Sequence, residues 1–530
     1  MRIDRFDWAE TRLLGLAAAL AFVVGVGFRL YHAASVPLWL DEAYSAYAAD
    51  HGFAFLWREV PRYETHPPFY YSLVRLWSFA TGTNLGARRA LGIITGVAAV
   101  PLVAFAGDRL AALAGWDATR RRWLIAFAVM LAALHPLSIE MAKQVRPYPV
   151  MIAAYALAML AVLRLGTDAR DGRPFSRSWL TAATIAEAAL LWLHALGPLF
   201  GGSVAIALAV LTLRPGMTRR DLLALAATQI VAGLLYLPAL LITLGQAPTW
   251  TQSTWLRFLP STLPDEFALL YANWHRGAPT LALLVALAGL AMLARRGGWG
   301  ARAALALAVL AFLPAAASIA LSATVAPVFL VRTLSAAAVP GFLLVAAGLA
   351  APGPWRFAAA PFAACLLVSD LGVAWALAHR PPLQDWYGTI DWLKPRFRPG
   401  DVVWAYPNEG ALPLAAALRD EHAALSVRPI PAPVPAFGSG GYFPTGSRGV
   451  VSLYPPQIAA LMATPAARTP PTIWLLRLGA LRYDPGDRMA RALAADRMLV
   501  ARFRSGQIDL IGLRRASVGE GMQRAGRLSE

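Results

Sequence analysis

Of 530 residues, 58% are hydrophobic and 15% charged, and the mean hydropathy of +0.52 excludes an ordinary soluble domain and makes the chain a polytopic membrane protein. The formal charge of +18 would fit a nucleic-acid binder only if the basic residues gathered on one soluble surface. They fall instead in short clusters between apolar runs, so no nucleic-acid partner is expected, and the single cysteine, Cys365, rules out an intramolecular disulfide.

The apolar run at residues 13–30 is long enough to span a bilayer and has no clear small-residue cleavage site after it, so it is expected to remain as the first helix. Further runs of spanning length centre near residues 98, 130, 157, 187, 205, 232, 286, 311, 342 and 367, about eleven in all. An odd number puts the termini on opposite sides. Arginines populate every second connection: Arg2, Arg5 and Arg12; Arg109 with Arg120, Arg121 and Arg122; Arg164, Arg170, Arg173 and Arg177; Arg214, Arg219 and Arg220; Arg295, Arg296 and Arg302; and Arg356. The positive-inside rule therefore predicts a cytoplasmic amino terminus, with the connections near Asp41, Glu140, Trp250 and Pro327 and the whole carboxyl-terminal part on the other, outer side. Anionic membrane lipids account for much of the basic charge.

The first outer loop, about residues 34–85, carries the chain's most unusual stretch. Pro37 is suited to opening a helix, which would set Asp41 and Glu42 in or near its first turn, where the positive helix end favours carboxylates. Tyr44, Ser45 and Ala48 share the Asp41 face, while Leu38, Trp39 and Leu40 suit the membrane interface, so a helix along the bilayer with a reactive edge is expected. Arg62, Glu64, His66-Pro67-Pro68 and Tyr70 follow. The second outer loop holds Glu140, Lys143, Gln144, Arg146 and Tyr148. Lys143 and Arg146 are cations on the wrong side for the positive-inside rule, so they need an anion, either a lipid headgroup or the phosphate of a lipid-linked substrate. Arg332, at the mouth of the tenth run, is a third candidate for it.

Two features remain open from sequence. Glu187 and His194 share one face of the fifth run, His194 nearer the outer end, and such groups either bond a neighbouring helix or serve a site. Trp250, Trp255, Asp265, Glu266 and Trp274, in the long outer connection, suit either interface anchoring or a loop that closes over a lipid.

Past residue 380 the texture turns polar and rich in Pro and Gly. Residues 401–406 and 472–478 read as buried strands, 499–503 and 508–513 as a hairpin around Ser505-Gly506, and 386–397, 410–419 and 487–495 as amphipathic helices. The division expected is a transmembrane part at 1–380, an outer α/β domain at 381–515 and a disordered tail at 516–530. No metal-ligand spacing, phosphate-cradling glycine loop or fixed-period repeat is present.

Leu38-Trp-Leu-Asp41-Glu42-Ala-Tyr44-Ser45, His66-Pro67-Pro68-Phe-Tyr70-Tyr71, Gln144-Val-Arg146-Pro-Tyr148 and Pro327-Val-Phe-Leu-Val-Arg332 occur in this order, all on the predicted outer side. Together they resemble the GT-C class of membrane glycosyltransferases, in the family of protein O-mannosyltransferases, lipid A aminoarabinose transferases and related bacterial enzymes (GT39/GT83-like). Relatives often carry Glu where this chain has Gln144, with Glu140 four residues earlier, and Tyr where it has Thr333. The resemblance implies a GT-C fold and transfer of a sugar from a polyprenyl-phosphate donor to a glycan, lipid or protein acceptor. An attacking hydroxyl must lose its proton, which makes Asp41 the expected base, with Glu42 orienting the acceptor or sharing the role. The departing lipid phosphate needs cations, for which Lys143, Arg146 and Arg332 are placed, while His66 either bonds the phosphate or shapes the loop. Tyr44, Tyr70, Tyr148 and His194 are the expected substrate contacts. No cofactor is required and a divalent metal is optional. The other readings are a polymerase or ligase of lipid-linked glycans and, in another class, a transporter or flippase binding an ion at Asp41 and Glu42. Against the transporter, the acids lie at the membrane edge and no pair of broken helices occupies corresponding halves.

Overall fold

The computed structural model describes residues 2–515 except Arg276, Pro352, Pro354 and residues 446–448. The tail at 516–530, expected to be disordered, lies outside the described residues. The helices are α1 (Arg2–Leu30), α2 (Leu40–Asp50), α3 (Gly52–Arg58), α4 (Phe69–Thr81), α5 (Leu85–Leu113), α6 (Ala118–Leu134), α7 (Pro136–Ala142), α8 (Tyr148–Arg170), α9 (Arg177–Leu193) and α10 (Gly197–Thr212). They continue with α11 (Arg219–Ser253), α12 (Leu263–Tyr271), α13 (Ala278–Ala294), α14 (Gly298–Thr324), α15 (Val331–Leu334), α16 (Ala338–Leu349) and α17 (Trp355–Ala378).

Each apolar run falls on a helix. Among the described residues seven helical stretches are long and apolar enough to cross a membrane, one of them α15 and α16 together (Val331–Leu349), or eight if α6 and α7, bent by 53°, count as one span. Helices α9, α10 and α13 have 17, 16 and 17 residues, roughly 25 Å each at 1.5 Å per residue, less than the ~30 Å of a hydrocarbon core. The break between α6 and α7 leaves carbonyls at the end of α6 without helical donors. Arg29 of α1, only 1% exposed, supplies one, donating to Ala133 O at 2.7 Å as well as to Gly25 O at 2.9 Å. A cation at a helix carboxyl end also meets its partial negative charge.

The first outer loop differs from the single interfacial helix expected of it. Helix α2 starts at Leu40 rather than Pro37, because Trp39 is extended and Leu40 N–H donates to Gln384 Oε1 at 2.9 Å. Tertiary contact thus decides where α2 begins, and Asp41 and Glu42 do occupy its first turn. The helix is packed against α4 and covered by the carboxyl-terminal domain.

That domain is a five-stranded sheet in the order β2-β1-β3-β5-β4, formed by β1 (Val402–Ala405), β2 (Val427–Pro429), β3 (Thr472–Leu478), β4 (Arg497–Ser505) and β5 (Ile508–Arg515). Both neighbours of β1 run parallel to it, while β5 is antiparallel to β3 and β4. Period-two alternation along β3 sends Trp474, Leu476 and Leu478 to one face, against Trp386, Ile390 and Leu414 of α18 (Trp386–Leu393) and α19 (Ala411–Asp420). Ile473 and Leu475 point to the other, with Ile458 of α20 (Pro455–Ala463) and Leu493 of a later helix (Arg488–Ala494). The sequence reading missed β2, whose three residues are too few to show a period, and α20, which begins at Pro455-Pro456.

Candidate functional site

At the end of the bundle that carries the carboxyl-terminal domain, a cavity of about 1370 Å³ opens between that domain and the outer loops. Its lining includes Asp41, Tyr44, Glu64, His66, Arg146, Tyr148, His194, Trp250, Trp255, Arg332 and, from the domain, Glu409. Asp41 and Arg332, 291 positions apart, therefore face one space, and Glu409 joins them from still further along the chain.

Asp41 is the centre of the charged geometry. Its Oδ2 lies 3.1 Å from Arg332 Nη2 and 3.8 Å from Arg146 Nη2. Arg146, 6% exposed, also donates to Asp41 O at 3.2 Å and to Ser45 Oγ at 3.4 Å, which ties the second outer loop to the first turn of α2. Arg332 lies over the Trp39 ring at 5.0 Å and the Trp255 ring at 5.7 Å, so two aromatic faces hold the planar cation. Two guanidiniums face one carboxylate here, and Glu64, which also lines the cavity, is a second acid that Arg146 acts on. Both Nε atoms are buried with no hydrogen-bond partner among the described residues.

The imidazoles of His66 and His194 pack with centroids 4.2 Å apart, and Tyr148 lies 6.2 Å from His194. Burial pushes His66 well below the ordinary histidine value, and His194, Arg146 and Arg332 push it the same way. A neutral His66, with a buried Nδ1 unpartnered among the described residues, is left free to bond a ligand. Glu64 accepts the Thr65 and His66 amides at 2.9 and 3.2 Å, which shapes the turn before Pro67. Burial raises the Glu64 carboxyl, with those amides and Arg146 opposing it.

Glu42, Lys143 and Tyr70 do not line the cavity. Glu42, expected as a catalytic partner of Asp41, is 1% exposed and turned into the protein, where it accepts from Arg89 Nη2 at 2.8 Å, Arg89 Nε at 3.1 Å and Val145 N at 2.8 Å. Arg89 in turn donates to Val36 O at 2.7 Å and Ala33 O at 3.1 Å, so one buried pair pins the start of the first loop to α5 and the second loop. Burial lowers Lys143 from the ordinary lysine value, with Glu140 opposing it. Tyr70 is 3% exposed within α4. Of the features left open, His194 reaches the cavity, whereas Glu187 accepts from Gln229 Nε2 at 2.9 Å, bridging α9 to α11.

Arg89 was missed, although Arg88-Arg89, at the end of the second apolar run that the charge pattern puts outside, departs from the positive-inside rule and was a readable signal. Removing one partner of a buried ion pair leaves an uncompensated charge, so Arg89→Ala is expected to cost about 3–5 kcal/mol. The joint change Glu42→Gln with Arg89→Met should recover much of that. Thermal unfolding in detergent checks both, and a single variant as stable as the wild type would remove the pair from the scaffold.

No protein-family model and no curated protein sequence matches the chain. Solved structures do. ArnT from Cupriavidus metallidurans in the apo state aligns with a TM-score of 0.60 at 14% identity, over 95% of this chain and 98% of that one. The same protein bound to undecaprenyl phosphate aligns at 0.50 with 15% identity over the same shares. The Archaeoglobus fulgidus oligosaccharyltransferase, tethered with an acceptor peptide, gives 0.51 and 13%, over 96% of this chain and 75% of that one. These neighbours are GT-C glycosyltransferases, and over nearly its whole length this chain has the GT-C fold.

Proposed function

We propose that the chain is an integral-membrane glycosyltransferase that moves a sugar from a polyprenyl-phosphate donor to an acceptor at the outer leaflet. The observation that carries this reading is the pairing of one carboxylate, Asp41, with two guanidiniums in a cavity large enough for a lipid phosphate and its sugar. The donor phosphate is held by Arg146 and Arg332. Asp41 accepts the proton of the acceptor hydroxyl as its oxygen attacks the anomeric carbon; the bond from that carbon to the phosphate oxygen breaks, and the phosphate leaves with the electron pair. Attack from the face opposite the phosphate inverts the anomeric configuration. Neutral His66, with His194, bonds the sugar or the phosphate, and Tyr44 and Tyr148 bound the same space.

A lipid carrier fits the undecaprenyl phosphate held in one of the fold neighbours. In this reading all eleven helices on the apolar runs cross a bacterial inner membrane, with the amino terminus in the cytoplasm and the cavity and its covering domain in the periplasm. The test is mass analysis of envelope glycans and polyprenyl-phosphate sugars in cells with and without the gene. Loss of the gene should leave one polyprenyl-phosphate sugar accumulated and one glycan, lipid or protein short of that sugar. Identical profiles would sink the reading.

A further inference from the structure

The carboxyl-terminal domain has a crevice of its own at the cavity. Strands β1 and β3 are parallel neighbours, but the chain leaves β1 toward β2 on one side and later returns to β3 on the other. The connections after these two strands therefore diverge and leave an opening beyond their carboxyl ends. In open α/β sheets this is where ligands sit, because no connection closes over the gap. Here the gap opens into the cavity: Glu409 follows β1, Gly479 and Tyr483 follow β3, and all three line it. Gly479, at φ +64°, takes the chain sharply out of β3 in a conformation that a side chain would strain.

The chemistry of the crevice suits hydroxyl groups. Tyr483 lines the crevice beside Glu409 and lowers its carboxyl as a hydrogen-bond partner, and Thr445 Oγ1 lies 3.4 Å from the Tyr483 hydroxyl. Among the described residues no cation pairs with Glu409, and the charged neighbours that act on it are Asp41 and Glu64, of its own sign. Burial first, then those two acids, push its carboxyl up to about 7, against the Tyr483 bond. A carboxyl not engaged in an ion pair keeps oxygens for a ligand, and sugar hydroxyls, donors and acceptors at once, match it.

We propose that this crevice binds a sugar of the acceptor glycan, with Glu409 and Tyr483 holding its hydroxyls, so that the carboxyl-terminal domain presents the acceptor across the cavity to Asp41. The reaction served rests on the glycosyltransferase reading above, whereas sugar binding by the crevice is measurable without it. The full chain in nanodiscs is titrated with a panel of methyl pentosides, hexosides and N-acetylhexosaminides by ligand-observed NMR, and separately with undecaprenyl phosphate. The wild type should bind at least one glycoside, and Glu409→Ala should weaken it about tenfold or more, through loss of the carboxyl's hydrogen bonds to the sugar. Undecaprenyl phosphate should bind that variant within about twofold of wild type, which reports an intact fold. The proposal is overturned if the wild type binds no glycoside, or if Glu409→Ala leaves the binding unchanged. Glycoside binding that depends on Glu409, in a protein that ignores undecaprenyl phosphate, would uphold the crevice and count against the donor reading.

Discussion

Asp41→Asn is expected to lower sugar transfer by about 10²–10⁴-fold, the usual contribution of a positioned general base. Asparagine keeps the size of the side chain and leaves an oxygen for Arg332, now 3.1 Å from Asp41 Oδ2, so α2 should stay in place. It cannot take up a proton. It also removes the negative charge that Arg146 and Arg332 now face, so undecaprenyl phosphate should bind at least as tightly as to wild type. This pairing of outcomes, transfer lost and lipid phosphate retained, separates a base from a scaffold residue. A protein that served as an ion-coupled transporter would lose flux instead. Wild-type transfer by the purified asparagine variant would end the assignment of Asp41.

Arg332→Met is expected to lower kcat/KM for the lipid-linked donor by roughly 10²–10³-fold, the range for removing one preorganised donor from a developing negative charge. The neighbours explain why lysine should recover only part of it. Stacking on Trp39 and Trp255 requires the planar guanidinium, and a flexible ammonium is not held by the two rings in the same way. Arg332 is also the better probe of the two cations, because Arg146 is bonded to Asp41 O and Ser45 Oγ and its loss would disturb α2 as well. Steady-state kinetics with an unfolding curve on each variant is the check. If Arg332→Met transfers sugar as wild type does, the leaving phosphate is met elsewhere.

Much of the fold and part of the site were legible because they depend on local chemistry. Apolar runs become helices wherever they fall, since a backbone in lipid must bond within its own segment. The short apolar run of β3 and the Ser505-Gly506 turn between β4 and β5 are local signals of the same kind. Asp41, Arg146 and Arg332 were singled out as charges that the membrane surface does not explain. Glu42 and Lys143 broke the same rules, and nothing local marks Glu42 as pointing inward when Asp41 points to the cavity. A rotation of about 100° per residue sends adjacent side chains of a helix to different faces. Which face is buried depends on Arg89, some fifty residues on, and on the second loop against which α2 packs.

By itself, then, the order of residues marked the apolar helices, four of the five strands of the carboxyl-terminal sheet and the list of charges in need of partners. The tertiary structure alone decided which of those charges meet: it buried Glu42 on Arg89, left Asp41 between Arg146 and Arg332, and brought Glu409 to the same cavity from a separate domain. The physical reason is that burial and ion pairing are properties of surfaces brought together from distant parts of the chain, whereas helix and strand periods belong to neighbours within it.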